Sequence, residues 1–167
     1  AGQYPEFDPA LARAMKGEVS AYFNHLVRED RSLLELIDSQ YTFANRRLAE
    51  LYGLKNVAGE ELQLVPLTDA RRGGILGMAG VHALTSFPLR TSPVLRGRWM
   101  LEALLGDKVP PPPPDVPTLN EQAAATPGGL SLRKQLEQHR LKAECASCHD
   151  RMDSLGFGLE NFDVLGR

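Results

Sequence analysis

The stretch Ser131 to Phe157, reading SLRKQLEQHRLKAECASCHDRMDSLGF, decides how the chain is read. Ser131 is a side-chain cap for a helix, and Leu132, Leu136, His139 and Ala143 recur on its inward stripe. That helix leads into Cys145-Ala146-Ser147-Cys148-His149, the C-x-x-C-H spacing. Two thiols three positions apart on a helical turn reach the two vinyl groups on one edge of a porphyrin. Each S–H adds across a vinyl to give a thioether. The next residue then projects toward the ring centre, where an imidazole nitrogen ligates iron. The spacing predicts one covalently bound haem c, with His149 as the proximal ligand. The competing assignments explain less. A zinc site wants about four ligands, and here only two thiols and scattered histidines are on offer. A redox dithiol belongs beside a βαβ pattern, which is absent, and a plain disulfide leaves the adjacent His without a role.

Upstream, the chain reads as helices. Asp8-Pro9 starts one whose face is Leu11, Met15, Val19, Tyr22 and Leu26. Ser32-Leu-Leu-Glu35 has capping-box spacing and predicts a second. A third is expected over Phe43–Tyr52, with Gly53 as its left-handed stop. Gln63–Leu67 reads as a short extended piece that Pro66 keeps out of any central strand. Asp69 is expected to cap a fourth helix with Ile75, Met78, Ala79 and His82 on one face. Gly73, Gly74, Gly77 and Gly80 weaken it, and so many glycines imply close approach of another backbone or of a ligand. Ser92-Pro93 opens a fifth, carrying Trp99, Leu101, Leu104 and Leu105, and Gly106 ends it. Pro110 to Pro114 is unbroken proline, followed by Pro117 and Pro127, so residues 107–130 read as an extended connector or strap. The expectation is an all-α fold, helical and c-type cytochrome-like, with a proline-rich strap. It is organised as a helical region over 1–106, the connector over 107–130 and a haem-attachment region over 131–167.

Composition narrows the function classes. Nineteen Lys and Arg against twenty-one Asp and Glu leave a net charge of −2, not the basic excess of a nucleic-acid binder. No apolar run approaches the length of a membrane span, and Ala1–Pro9 does not read as a signal peptide.

The distal side of the iron is open to several side chains. Only residues 150–167 follow His149, so a distal ligand is expected from upstream. Met78, in Gly77-Met-Ala-Gly80, leads, because its small neighbours let backbone lie against a flat macrocycle and a thioether suits electron transfer. Its competing assignment is a core Met. His139 is next, if a bend near Lys142–Glu144 folds it over the ring, and otherwise it is a buried His. His82 shares a helical face with Met78, while Met100 and His25 are weaker. Met152 is excluded, being too close to His149 to reach the opposite ring face. Arg90, Arg96 and Arg98 flank Thr91-Ser-Pro93, and a guanidinium fork suits a haem propionate. A surface pair with Glu102 is the alternative. Glu160-Asn-Phe-Asp163 is expected to close the pocket as a short helix.

Arg133–Arg167, RKQLEQHRLKAECASCHDRMDSLGFGLENFDVLGR, resembles the DUF1588 domain of large bacterial multidomain cytochrome-like proteins. Tyr41-Thr-Phe-Ala-Asn45, Leu48-Ala-Glu-Leu-Tyr-Gly53, Arg72-Gly-Gly, Arg90-Thr-Ser-Pro-Val-Leu-Arg-Gly-Arg-Trp99, Leu105-Gly106 and the proline run resemble the DUF1592 domain that precedes it. The family pattern has Asp-Pro where this chain has Asp153-Ser154, so a less rigid turn is expected there. The resemblance also implies a chain that begins partway into the first domain and ends as the second closes. Together these readings point to a mono-haem cytochrome that carries single electrons, free or as a subunit of a larger redox or photosynthetic complex. The expected partner is a redox protein or complex. The alternative is a haem enzyme or gas-binding module with an open sixth coordination site. Because haem is attached outside the bacterial cytoplasm, the expected location is the periplasm or its equivalent.

Overall fold

The computed structural model describes residues 3–111 and 131–167. The part of the expected strap from Pro112 to Leu130 lies outside the described residues. The chain divides into two compact units, one formed by residues 1–91 with 161–167 and the other by 92–160. The fold is mainly α, with one two-stranded sheet that the all-α expectation did not include.

The first unit is organised on α1 (Pro9–Arg28). Asp8 accepts from the Leu11 amide at 2.8 Å, and Pro9 sits where no amide is needed. Leu11, Met15, Tyr22 and Leu26 are buried as expected, but the stripe also contains Glu18, which is wholly buried. The core joins Leu11, Ala14 and Met15 to Ala44, Leu48, Val65, Ala79 and Leu165.

Three expectations for this unit are corrected. The capping-box segment makes only one short 3-10 turn, Leu33–Leu36, with Leu33 and Leu34 exposed. Glu35 does not close the box, because it takes hydrogen bonds from the Tyr41 hydroxyl (2.6 Å) and Arg31 (3.2 Å). The expected helix over Phe43–Tyr52 begins only at Arg46, as α2 (Arg46–Tyr52). Asn45 is the reason: its side chain accepts from the Leu48 amide at 3.1 Å and so fixes the helix start behind it. The preceding Tyr41–Ala44 is strand β1, whose alternating burial matches its β-branched and aromatic content. It pairs antiparallel with β2 (Gln63–Pro66), Tyr41 facing Pro66 and Ala44 facing Gln63. With only two strands in the sheet, Pro66 at the end of β2 interrupts nothing.

The expected fourth helix is instead two 3-10 turns, Ala70–Arg72 and Ile75–Gly77, followed by a short α3 (Ala79–Leu84). The glycines explain this break. Gly74 has φ of 65°, where a side chain is strained, and a Cβ on Gly73 would lie 2.6 Å from the Ser39 carbonyl oxygen. Gly77 lies directly on the Arg72 carbonyl.

In the second unit, α4 (Pro93–Trp99) starts at Ser92, which accepts from the Leu95 amide at 3.3 Å. It continues as a wider π turn, Met100–Leu104, and Gly106 (φ 70°) follows. α5 (Leu132–His139) is capped by Ser131 as read, and α6 (Ala143–Phe157) follows it. α4 packs against α6 with backbone on backbone. A Cβ on Gly97 would run into the Met152 carbonyl, and one on Gly156 into the Pro93 carbonyl. Leu101, Leu136, Met152 and Leu159 are buried here. Among the described residues no helix is long and apolar enough to cross a membrane.

Candidate functional site

The break between α5 and α6 builds the site. Lys142 is extended, its carbonyl accepts from the amides of Cys145 (3.0 Å) and Ala146 (2.9 Å), and α6 turns from there. Cys145, Cys148 and His149 therefore share the first turns of one helix. Both cysteines are free thiols and half-buried, and the His149 side chain is 18% exposed. One turn further on, Asp153 is fully buried, and its Oδ1 lies 2.9 Å from His149 Nδ1. A carboxylate can only accept, so Nδ1 carries the proton and donates it, and Nε2 is the nitrogen left with a lone pair. Asp153 Oδ2 is sealed from solvent and accepts no hydrogen bond from the described residues. The Arg140 guanidinium, 24% exposed, approaches it at 3.8 Å and Asp150 at 3.7 Å.

The expected bend brings His139 to His149, with ring centres 4.8 Å apart and planes at 74°. The His139 ring packs edge-on against the His149 ring. Burial, and then the adjoining His149 ring, hold the His139 pKa below its usual value.

The donor set fits a covalently held macrocycle: two thiols at i and i+3, an imidazole at i+4, and a buried carboxylate fixing that imidazole's tautomer. Among the described residues no group of three or more His, Cys, Asp and Glu is placed to hold a bare metal ion.

A family model described as a protein of unknown function (DUF1588), PSCyt3, matches residues 72–167. The chain belongs to the DUF1588 family. A second model, also described as a protein of unknown function (DUF1592), PSD4, matches residues 1–54. No curated protein and no solved structure matches the chain. The DUF1588 match begins well upstream of Arg133. Arg72-Gly-Gly, Arg90–Trp99 and the proline run, read above as DUF1592-like, therefore fall inside the DUF1588 segment.

The remaining predicted residues of the DUF1588 segment are placed as follows. Arg96 is wholly buried, and its Nη1 donates to Glu160 at 2.8 Å and to the Leu159 carbonyl at 2.6 Å. Arg90 lies over the Phe87 ring at 4.4 Å and donates to the Thr91 carbonyl. Arg98 pairs with Glu102 at 3.0 Å, the surface alternative. Trp99 and Met100 are half-buried and Met152 is buried. Met78, in the first unit, is buried at the start of α3. His82, on α3, is buried with its ring 4.5 Å from that of Phe162. Outside the segment, His25 packs among Tyr41 and Phe43.

Two DUF1588-segment readings are corrected. Asp153-Ser154 is not a turn but the interior of α6, because the Asp153 side chain bonds back to His149 on the preceding turn. Residues 160–163 form a turn and no helix. There Glu160 is held by Arg96, and Asp163 accepts from the amides of Leu165 and Arg167. Asp153 is the buried partner of His149 that sequence reasoning passed over. Its signal was present in the four-residue spacing from His149, which puts both side chains on one helix face.

Proposed function

We propose that this chain is a mono-haem c-type cytochrome domain that carries single electrons, on its own or as a subunit of a larger redox complex outside the cytoplasm. One observation carries the reading. Cys145, Cys148 and His149 lie on successive positions of one helical face, and His149 is tied through Nδ1 to the buried Asp153, so Nε2 is the ligating nitrogen. Cys145 and Cys148 hold the haem as thioethers and His149 is the proximal ligand. When bound, the haem supplies a reversible one-electron couple, and the chain supplies orientation, burial and the tuning of that couple. Met78 is the proposed distal ligand and His139 the alternative. Arg90 and Arg96 are the proposed propionate contacts; Arg96 also pairs with Glu160, and Arg90 also lies over the Phe87 ring.

The second reading is a haem enzyme or gas-binding module with an open sixth site. Expression with c-type maturation, followed by denaturing mass spectrometry, tests the shared premise. One haem should remain on each chain, and haem that extracts into acidified solvent would overturn it. A reduced spectrum with and without carbon monoxide then separates the two readings. A six-coordinate, low-spin spectrum unmoved by the gas supports the carrier, and a high-spin form that binds it supports the open site. In the carrier, Met78→Ala should remove the near-infrared sulfur-to-iron band and lower the potential.

A further inference from the structure

We infer that Asp153 is a positioning residue for the reaction centre: its carboxylate fixes the His149 tautomer and strengthens the imidazole as a donor, lowering the reduction potential of whatever His149 ligates. The inference rests on the haem reading of the same site. Three observations carry it. The contact is short, 2.9 Å, and joins side chains one helical turn apart, so it needs no long-range movement to form. Asp153 is fully buried, so the contact is not diluted by water. The second carboxylate oxygen accepts no hydrogen bond from the described residues, and Arg140 approaches it only at 3.8 Å. Among the described residues His149 is thus the carboxylate's close hydrogen-bond partner, with the Arg140 charge acting on it at longer range. A carboxylate hydrogen-bonded to the non-ligating nitrogen of a metal-bound imidazole raises that ligand's basicity and stabilises the more oxidised metal. A backbone carbonyl in its place would orient the ring equally well but lacks the full charge. Asp153 thus adds to orientation an electrostatic effect on the potential.

The test compares the haem-loaded chain with Asp153→Asn, which keeps an oxygen that can accept from Nδ1–H but removes the charge. Haem content should be unchanged by mass spectrometry. The iron–histidine stretch in the resonance Raman spectrum of the reduced protein, read with any distal ligand absent or displaced, should move to lower frequency. The reduction equilibrium constant should rise about tenfold, equivalent to about 59 mV for one electron. An Asp153→Asn protein with full haem content and an unmoved stretch and potential would overturn the inference and leave the haem reading standing. A parent that never retains haem would overturn both. Should Asp153→Asn fail to fold, nitrogen-15 NMR of the parent chain without haem decides. His149 should carry its proton on Nδ1, and a dominant Nε2–H tautomer would overturn the inference.

Discussion

The two units bury charged side chains in opposite ways. In the first, Glu18 sits wholly inside the core and meets hydroxyls, with Thr42 Oγ1 and Tyr52 OH each donating to it at 2.6 Å. Tyr52 in turn accepts from the Ala79 amide at 2.7 Å, so one carboxyl group links α1, β1, α2 and α3. Among the described residues no cation contacts it directly. Arg72 acts at longer range and lies over the Tyr52 ring at 4.1 Å. Burial therefore outweighs the hydrogen bonds and pushes the Glu18 carboxyl up to about 7. In the second unit, Arg96 meets a carboxylate and a carbonyl, and Asp153 meets an imidazole, with a guanidinium farther off. A buried carboxyl satisfied by neutral donors can take up a proton and sit quietly in a core. One held against a ring nitrogen is arranged to influence that ring. The first carboxyl ties elements of a core together, and the second is tied to the imidazole of the candidate site.

Spectroscopy can follow the units separately. Trp99, the only tryptophan, belongs to the second, and all four tyrosines (Tyr4, Tyr22, Tyr41 and Tyr52) belong to the first. The largest effect is expected at the glycine crossing of α4 and α6. Gly97→Ala or Gly156→Ala should cost about 5 kcal/mol or more, because the added methyl group meets a backbone carbonyl that cannot give way. Urea denaturation followed by Trp99 fluorescence measures it. Gly80→Ala in the first unit, where a Cβ would lie 3.2 Å from the Met15 carbonyl oxygen, should cost far less.

Next is Arg96→Ala, which removes the buried guanidinium from Glu160 and the Leu159 carbonyl and should cost about 3–5 kcal/mol. Arg96→Met, which refills the volume, combined with Glu160→Gln should recover much of that loss. A double variant no better than Arg96→Ala would mean that packing, not charge, dominates there.

The Glu18 contribution is smaller and depends on pH. Its folded-state pKa of about 7 lies above the ordinary glutamate value of 4.5. Between those values the unfolded chain has lost the proton and the folded chain keeps it. Stability should therefore fall as pH rises from about 4.5 to about 7, by about 3 kcal/mol, and then level off. Glu18→Gln should flatten that slope in tyrosine-monitored melts, and a slope that survives the substitution would assign it to other groups. Smallest is Ser131→Ala, which removes the α5 cap at 3.4 Å from the Lys134 amide. It should cost about 1 kcal/mol or less in calorimetry.

The helix starts at Asp8, Ser92 and Ser131 were legible because a cap is a contact over three residues, complete before any tertiary structure forms. The error at Phe43 has the same origin reversed. Asn45 caps the helix locally, and β2 supplies Tyr41–Ala44 with a partner some twenty residues away. The glycines over 73–80 mark close approach in the sequence, and in the structure it is backbone that approaches them. Gly97 and Gly156 were not singled out, since their contacts come from another helix.

What the sequence determined by itself is the C-x-x-C-H pattern on a helix, because Cys145, Cys148 and His149 are brought together by a single turn. The tertiary structure decided what surrounds them. It brought His139 edge-on to His149, buried Asp153 against the imidazole, gave Arg96 a partner at Glu160, and enclosed Glu18 among hydroxyls. The physical reason is range. Thiol and imidazole spacing is set by helix geometry, whereas burial, and with it the effective strength of every charge, depends on which distant segments exclude water.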